Sequence, residues 1–316
     1  MSPKQLSLLQ DGHSPEACSD AENEPLILNG RKLYLAGRAT GSLRQGLLRE
    51  CPVFFWPMSE QHGKDIVQAA QYVSARVDEL TRDTDLYLLA AFTVDDWNLE
   101  LSPWKADIPE IGQSFGGCAS LTLKWVLEEA FPYICGRYQG AGDMEESDPA
   151  GFPAYMAGYS LAGLFSLWAE LETRERGIFA GAAGCSATMW FPGWMEHAQK
   201  ATEKEDAAVS SGPESSAGCA AAGSDIYLSL GGKEHLTSNA FIASIGDAVR
   251  SYDRMLDSDP AVRRHVLEMN KGGHFSDPEK RVAKGIAWLL KACNKWKETD
   301  HHLRKTHRAE RQCLLK

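Results

Sequence analysis

The run Ala154-Tyr155-Met156-Ala157-Gly158-Tyr159-Ser160-Leu161-Ala162-Gly163 constrains this chain more than any other segment. An uncharged apolar stretch stops at one serine, and Leu161, Leu164, Phe165, Leu167, Trp168 and Leu171 then follow at helical spacing. The pattern reads as a strand that turns sharply into a helix. Gly158 and Ala162 flank the serine and are small enough to approach each other across the turn. A serine there is lifted clear of its neighbours at a helix N-terminus, within reach of a general base and of backbone N–H donors. The pentapeptide alone is a weak signal, because Gly, Ser and Ala are common residues. An ordinary buried strand-to-helix turn is the plain alternative, and the residues downstream decide between them.

Strand and helix patterns alternate from about residue 50 to 298, which implies a mostly parallel twisted sheet with helices on both faces, an α/β fold. Leu26–Leu28, Asn29-Gly30 and Lys32–Leu35 predict a hairpin on a type I′ turn. Strands are expected at Pro52–Trp56, Leu86–Phe92, Ile178–Cys185, Ile226–Leu230 and Arg264–Met269. Helices are expected at about Lys64–Leu80, Cys118–Ala130, Asn239–Leu256 and Glu279–Lys297. The connection Thr93–Gly117 is long enough to be functional or lid-like. Residues 1–24 read as a disordered leader and 25–298 as one domain. Residues 199–224 read as a low-complexity insertion within it, and 299–316 as a basic tail.

In such a sheet, reactive groups collect on loops at the C-terminal strand ends. Three candidates stand there: Ser160, Glu234 in Gly231-Gly232-Lys233-Glu234, and His274 in Lys271-Gly272-Gly273-His274-Phe275. Their chain order, serine then acid then histidine, is the one this architecture requires. His274 would take the Ser160 proton, and Glu234 would hold the imidazole tautomer and stabilise its cation. Taken singly, His274 reads as a loop histidine and Glu234 as an exposed charge; their joint placement favours a triad. Asp225 sits at the wrong end of its strand and is the weaker acid. The oxyanion donors are expected from the N–H of Leu161 and of Phe92, with Thr93 close behind. Trp97, Trp104, Trp190 and Trp194 lie on loops at the same edge, where they line a substrate pocket or simply cover the sheet end. Cys185 at a strand end suggests a thiol nucleophile, but a buried small hydrophobe is the better reading.

Other classes are set aside on composition. A net charge of −10 argues against a nucleic-acid partner. Phosphate-cradling glycine motifs are missing, as are H-E-x-x-H and C-x-x-C, so no metal or cofactor is expected. No 18-residue apolar run occurs, so no membrane span is expected. The opening residues lack the apolar run of a secretory signal, and eight scattered cysteines suit reduced thiols, so the cytoplasm is the expected location.

With these pieces in place the chain resembles the α/β-hydrolase superfamily, in particular its esterase-D-like group of microbial serine hydrolases. The matching segments are Gly158–Leu164, Asp96–Asn98 with Leu101–Trp104, Trp190–Gly193, Leu228–Glu234 and Gly272–Phe275. Together they span about residues 25–298, and the departure is Ala162, where the commonest superfamily pattern has glycine. The resemblance implies an α/β-hydrolase fold, hydrolysis of a small-molecule carboxylic ester, no metal or organic cofactor, and the roles above for Ser160, Glu234 and His274. Because the group spans simple acyl esters, siderophore lactones and sugar esters, the substrate does not transfer, and oligomeric state stays open. Acyl transfer on the same triad, and a catalytically silent binding scaffold, remain alternatives.

Overall fold

A computed structural model of the chain describes residues 24–40, 51–60, 64–138, 153–209 and 223–294. Its centre is an eight-stranded sheet built from β1 (Leu26–Leu28), β2 (Arg31–Ala36), β3 (Val53–Met58), β4 (Leu88–Thr93), β7 (Ala154–Tyr159), β8 (Phe179–Cys185), β9 (Ser224–Gly231) and β10 (Val262–Asn270). The spatial order is β1-β2-β4-β3-β7-β8-β9-β10. Only β1 and β2 run antiparallel to their neighbours. The hairpin that joins them turns at Asn29 and Gly30, both at positive φ (44° and 82°), as a type I′ turn demands.

The central strands are apolar on both faces because helices cover both. One core cluster packs Phe55, Met156, Leu164 and Phe165 beneath α5 (Leu161–Thr173) and α7 (Ala240–Leu256). The opposite cluster packs Phe54, Tyr155 and Tyr227 against α1 (Ile66–Leu80) and α8 (278–294). Helix starts follow local chemistry. Asp65 caps α1 through the Gln68 N–H, and Asn239 caps α7 through those of Phe241 and Ile242. Behind the nucleophile segment, Glu170 of α5 is fully buried and bound by both arms of Arg174 at 2.8 Å, while Arg174 also reaches Asp259 at 2.8 Å.

Three segments differ from the sequence expectation. The long connection after β4 is not irregular: it carries α2 (Trp97–Glu100) and a separate hairpin of β5 (Lys105–Ile108) and β6 (Gln113–Gly116). Strands of four residues with one buried position each leave almost no alternation to detect. The helix expected to end near Ala130 continues through α3 (Ala119–Trp125), a π turn over Val126–Ala130 and α4 (Phe131–Tyr138). The π turn ends two positions before Pro132, which has no N–H for a regular helical bond. Helix α6 (Trp194–Val209) runs into the stretch read as an insertion, whose residues 210–222 lie outside the described ones. The leader, save Glu24, and the tail lie outside them too. No helix among the described residues is long and apolar enough to cross a membrane.

Register places the chemistry. Tyr159 of β7 pairs with Cys185 of β8, Cys185 with Ser229 of β9, and Gly231 with Asn270 of β10, so these strands end along one edge. The turn after β7 admits no side chain at Gly158, since a Cβ there would run into the backbone of Ala162. We therefore expect Gly158→Ala to lower unfolding free energy by at least about 2 kcal/mol. Chemical denaturation would show it as a fall in the midpoint.

Candidate active site

Ser160 holds φ 56° and ψ −121°, a conformation that costs a non-glycine residue about 1–3 kcal/mol. Three backbone bonds keep it there: Ser160 N–H to Cys185 O (2.9 Å), and Ser160 O accepting from Leu164 N–H (3.0 Å) and Thr188 N–H (3.1 Å). The turn aims Oγ at the end of β10. It lies 3.1 Å from His274 Nε2 and 3.2 Å from Thr188 Oγ1.

His274 Nδ1 lies 3.3 Å from Glu234 Oε2. An ionised carboxylate only accepts, so Nδ1 carries the proton and Nε2 is left free to accept the Ser160 hydroxyl. Glu234 is 1% exposed and folds back over Gly231, whose N–H donates to Oε1 at 2.7 Å. The same oxygen accepts from Ser186 Oγ at 2.6 Å and from Arg281 at 3.2 Å. Burial by itself raises the Glu234 carboxyl; the bonds from His274, Ser186 and the Gly231 N–H outweigh it and hold the group below its ordinary value.

Arg281, 2% exposed on α8, links this carboxylate to the histidine loop. It donates to Ser186 Oγ (2.8 Å), Tyr159 OH (3.1 Å), and the carbonyls of Gly273 (2.7 Å) and Lys271 (3.3 Å). Tyr159 in turn donates to the His274 carbonyl, with its ring 5.4 Å from the imidazole. Arg281, Ser186, Tyr159 and Thr188 escape sequence reasoning. Arg281 sits mid-helix outside any motif, and Ser186 follows the cysteine that drew notice instead.

The remaining expected residues divide. Leu161 opens α5, where its N–H has no intrahelical acceptor. Phe92 does not fit as a donor. Leu88 N–H bonds to Pro52 O, just before β3, and Val94 N–H to Met58 O at its end, so every second N–H of β4, including that of Phe92, points into the ladder. Trp97 and Trp190 line cavities that open at Ser160. Trp104 instead packs on Phe191 and His197 and donates to Pro192 O at 2.7 Å, and Trp194 is fully buried at the start of α6. Asp225 is held at the far end of β9 by Arg263 and Arg264. The Cys185 thiol is pushed up to about 12 by burial, which leaves no thiolate for chemistry. Among the described residues, no three His, Cys, Asp or Glu side chains converge as metal ligands would.

No family model and no curated protein sequence matches the chain. Solved structures do. A siderophore hydrolase, EstA from Aspergillus nidulans, is 14% identical with a TM-score of 0.59 over 92% of this chain and 99% of that one. A second, EstB from the same organism, is 14% identical with a TM-score of 0.57 over 87% and 97%. An IroE-like serine hydrolase from Shewanella oneidensis is 14% identical with a TM-score of 0.58 over 83% and 76%. At this identity the likeness speaks for the fold, which is that of the α/β-hydrolases.

Arg281→Met leaves a buried carboxylate short of its cationic partner, and we expect unfolding free energy to drop by about 3–5 kcal/mol at neutral pH. The lowered Glu234 carboxyl also has a pH signature. Its contribution is complete above about pH 4.3, the ordinary value of glutamate, and drains away as pH falls through the lower folded value. Glu234→Gln has no proton to gain, so the stability gap between wild type and variant narrows in acid; denaturant titrations across that range check it.

Proposed function

We propose that this chain is a serine hydrolase that cleaves carboxylic esters of small molecules through an acyl-enzyme. The observation that carries the reading is the relay from Ser160 Oγ to His274 Nε2 at 3.1 Å and from Nδ1 to Glu234 at 3.3 Å. The hydrolase names of the structural neighbours support the same reaction class.

Ser160 Oγ bonds to the ester carbonyl carbon as His274 Nε2 takes its proton. Collapse of the tetrahedral intermediate breaks the bond to the leaving oxygen, which departs as the alcohol with that proton. Water then attacks the acyl-enzyme, again deprotonated by His274, and the acid is released as the proton returns to Ser160. Glu234 stays ionised and stabilises the imidazolium at each step.

Charge that develops on the carbonyl oxygen needs N–H donors already in place. Leu161 supplies one. The other comes from the turn after β4, where the N–H groups of Asp95 and Asp96 are both taken by Glu100 Oε1 at 2.7 Å. Trp97 and Asn98, in the first turn of α2 and beside Ser160 in both cavities, have N–H groups with no intrahelical acceptor.

A fluorophosphonate probe is expected to label the wild-type protein at Ser160 and to leave Ser160→Ala unlabelled. His274→Ala should cut p-nitrophenyl acetate turnover by about 10³-fold or more. Folded wild type that takes no label would sink the hydrolase reading.

A further inference from the structure

Two cavities, both with aromatic walls, meet at Ser160. The smaller, about 370 Å³, is walled by Leu161, Phe115, Trp190, Phe241, Ile242 and Ile245. The larger, about 640 Å³, runs past Trp56, Met58 and Tyr159 to a charged rim of Lys64, Asp95, Asp96 and Glu279. Trp97, Asn98, Ser160, His274 and Phe275 line both. Each volume falls in the range of small-molecule sites. An ester bound at Ser160 therefore has a separate chamber for each of its halves.

The order of bond breaking assigns them. The alcohol half leaves first and water enters next, while the acyl half stays tethered to Ser160 Oγ. The acyl group must occupy the chamber that does not block that exchange. The wide chamber with the charged rim suits departure of an alcohol and entry of water. The small chamber offers ring surfaces: Trp190 lies 4.9 Å from Phe241 and 6.3 Å edge-on from Phe115. Between them stands Phe275, 81% exposed and edge-on to the His274 ring at 5.1 Å, an apolar surface that a substrate spanning both chambers would cover.

We infer that the substrate is an ester of an aryl-bearing acid, its ring seated in the chamber of Phe115, Trp190 and Phe241 and its alcohol half in the wide chamber. This inference rests on the serine hydrolase reading above and adds which half of the substrate is aromatic.

Two isomers test it. Methyl phenylacetate carries its ring on the acid side, benzyl acetate on the alcohol side, and their leaving alcohols are similarly reactive. The wild-type protein should favour methyl phenylacetate in kcat/KM by about tenfold or more. Phe241→Ala should erase that preference, with a loss on methyl phenylacetate several-fold larger than that on benzyl acetate. Ile242→Trp, which fills the chamber instead of emptying it, should produce the same selective loss. Fluorophosphonate labelling at Ser160 reports folded, competent protein in both variants. A preference for benzyl acetate, equal losses on both esters, or a protein labelled at Ser160 that hydrolyses neither isomer overturns the assignment and leaves the hydrolase reading standing. Absence of both labelling and turnover brings down the hydrolase reading and this inference together.

Discussion

A carboxylate with 1% of its surface exposed stays ionised only if protein donors replace the water it has lost. Around Glu234 those donors come from four places in the chain: Gly231 at the end of β9, Ser186 just after β8, His274 after β10, and Arg281 on α8. The strands must end together at one edge, and α8 must lie along it, or the charge is left without partners. Arg281 carries the constraint further, because its other bonds go to Tyr159 beside the serine and to carbonyls of the loop that bears His274. One buried ion pair thus ties Ser160, Glu234 and His274 to a common frame. Removing water around such a relay also strengthens each electrostatic contact within it.

The second constraint is steric. Ser160 can hold a positive φ only because β7 and α5 press together with no side chain at Gly158, and because Cys185 and Thr188 bond its backbone from the neighbouring strand end. The strain lifts the hydroxyl out of the sheet toward His274. It also puts the serine on the boundary between the two covered faces of the sheet. The larger cavity opens on the side of α1 and α8, and the smaller on the side of α5 and α7. The division of the site into two chambers is a consequence of a sheet covered on both faces.

Patterns of short range were legible. Asn29-Gly30 dictates its own turn, since few other pairs tolerate two positive φ values. Apolar runs such as Leu88–Phe92 announce strands covered on both sides. Strand ends could be read because glycines and charged residues follow them, and so Ser160, Glu234 and His274 could be set on loops before any coordinates. The hairpin of β5 and β6 was illegible because its strands are short and mostly exposed. Phe92 failed as a donor because the direction of an N–H depends on where the neighbouring strand lies, which an apolar run does not record. Trp104 and Trp190 look alike in sequence; one covers a carbonyl and the other lines a cavity.

The sequence by itself determined the α/β layering and the chain order of serine, acid and histidine, because periodicity and turn chemistry are local properties. It also determined where the chain can turn sharply at Ser160, because Gly158 and Ala162 lie within five residues, although the bonds that hold the turn come from Cys185 and Thr188. Tertiary structure alone decided which groups surround the buried carboxylate, since Arg281 and Glu234 meet across 47 residues of chain. It alone decided which aromatic rings face the site and that the space beside the serine is split in two. Those outcomes follow from how helices pack onto opposite faces of a sheet, and long-range packing leaves no periodic trace in the chain that adopts it.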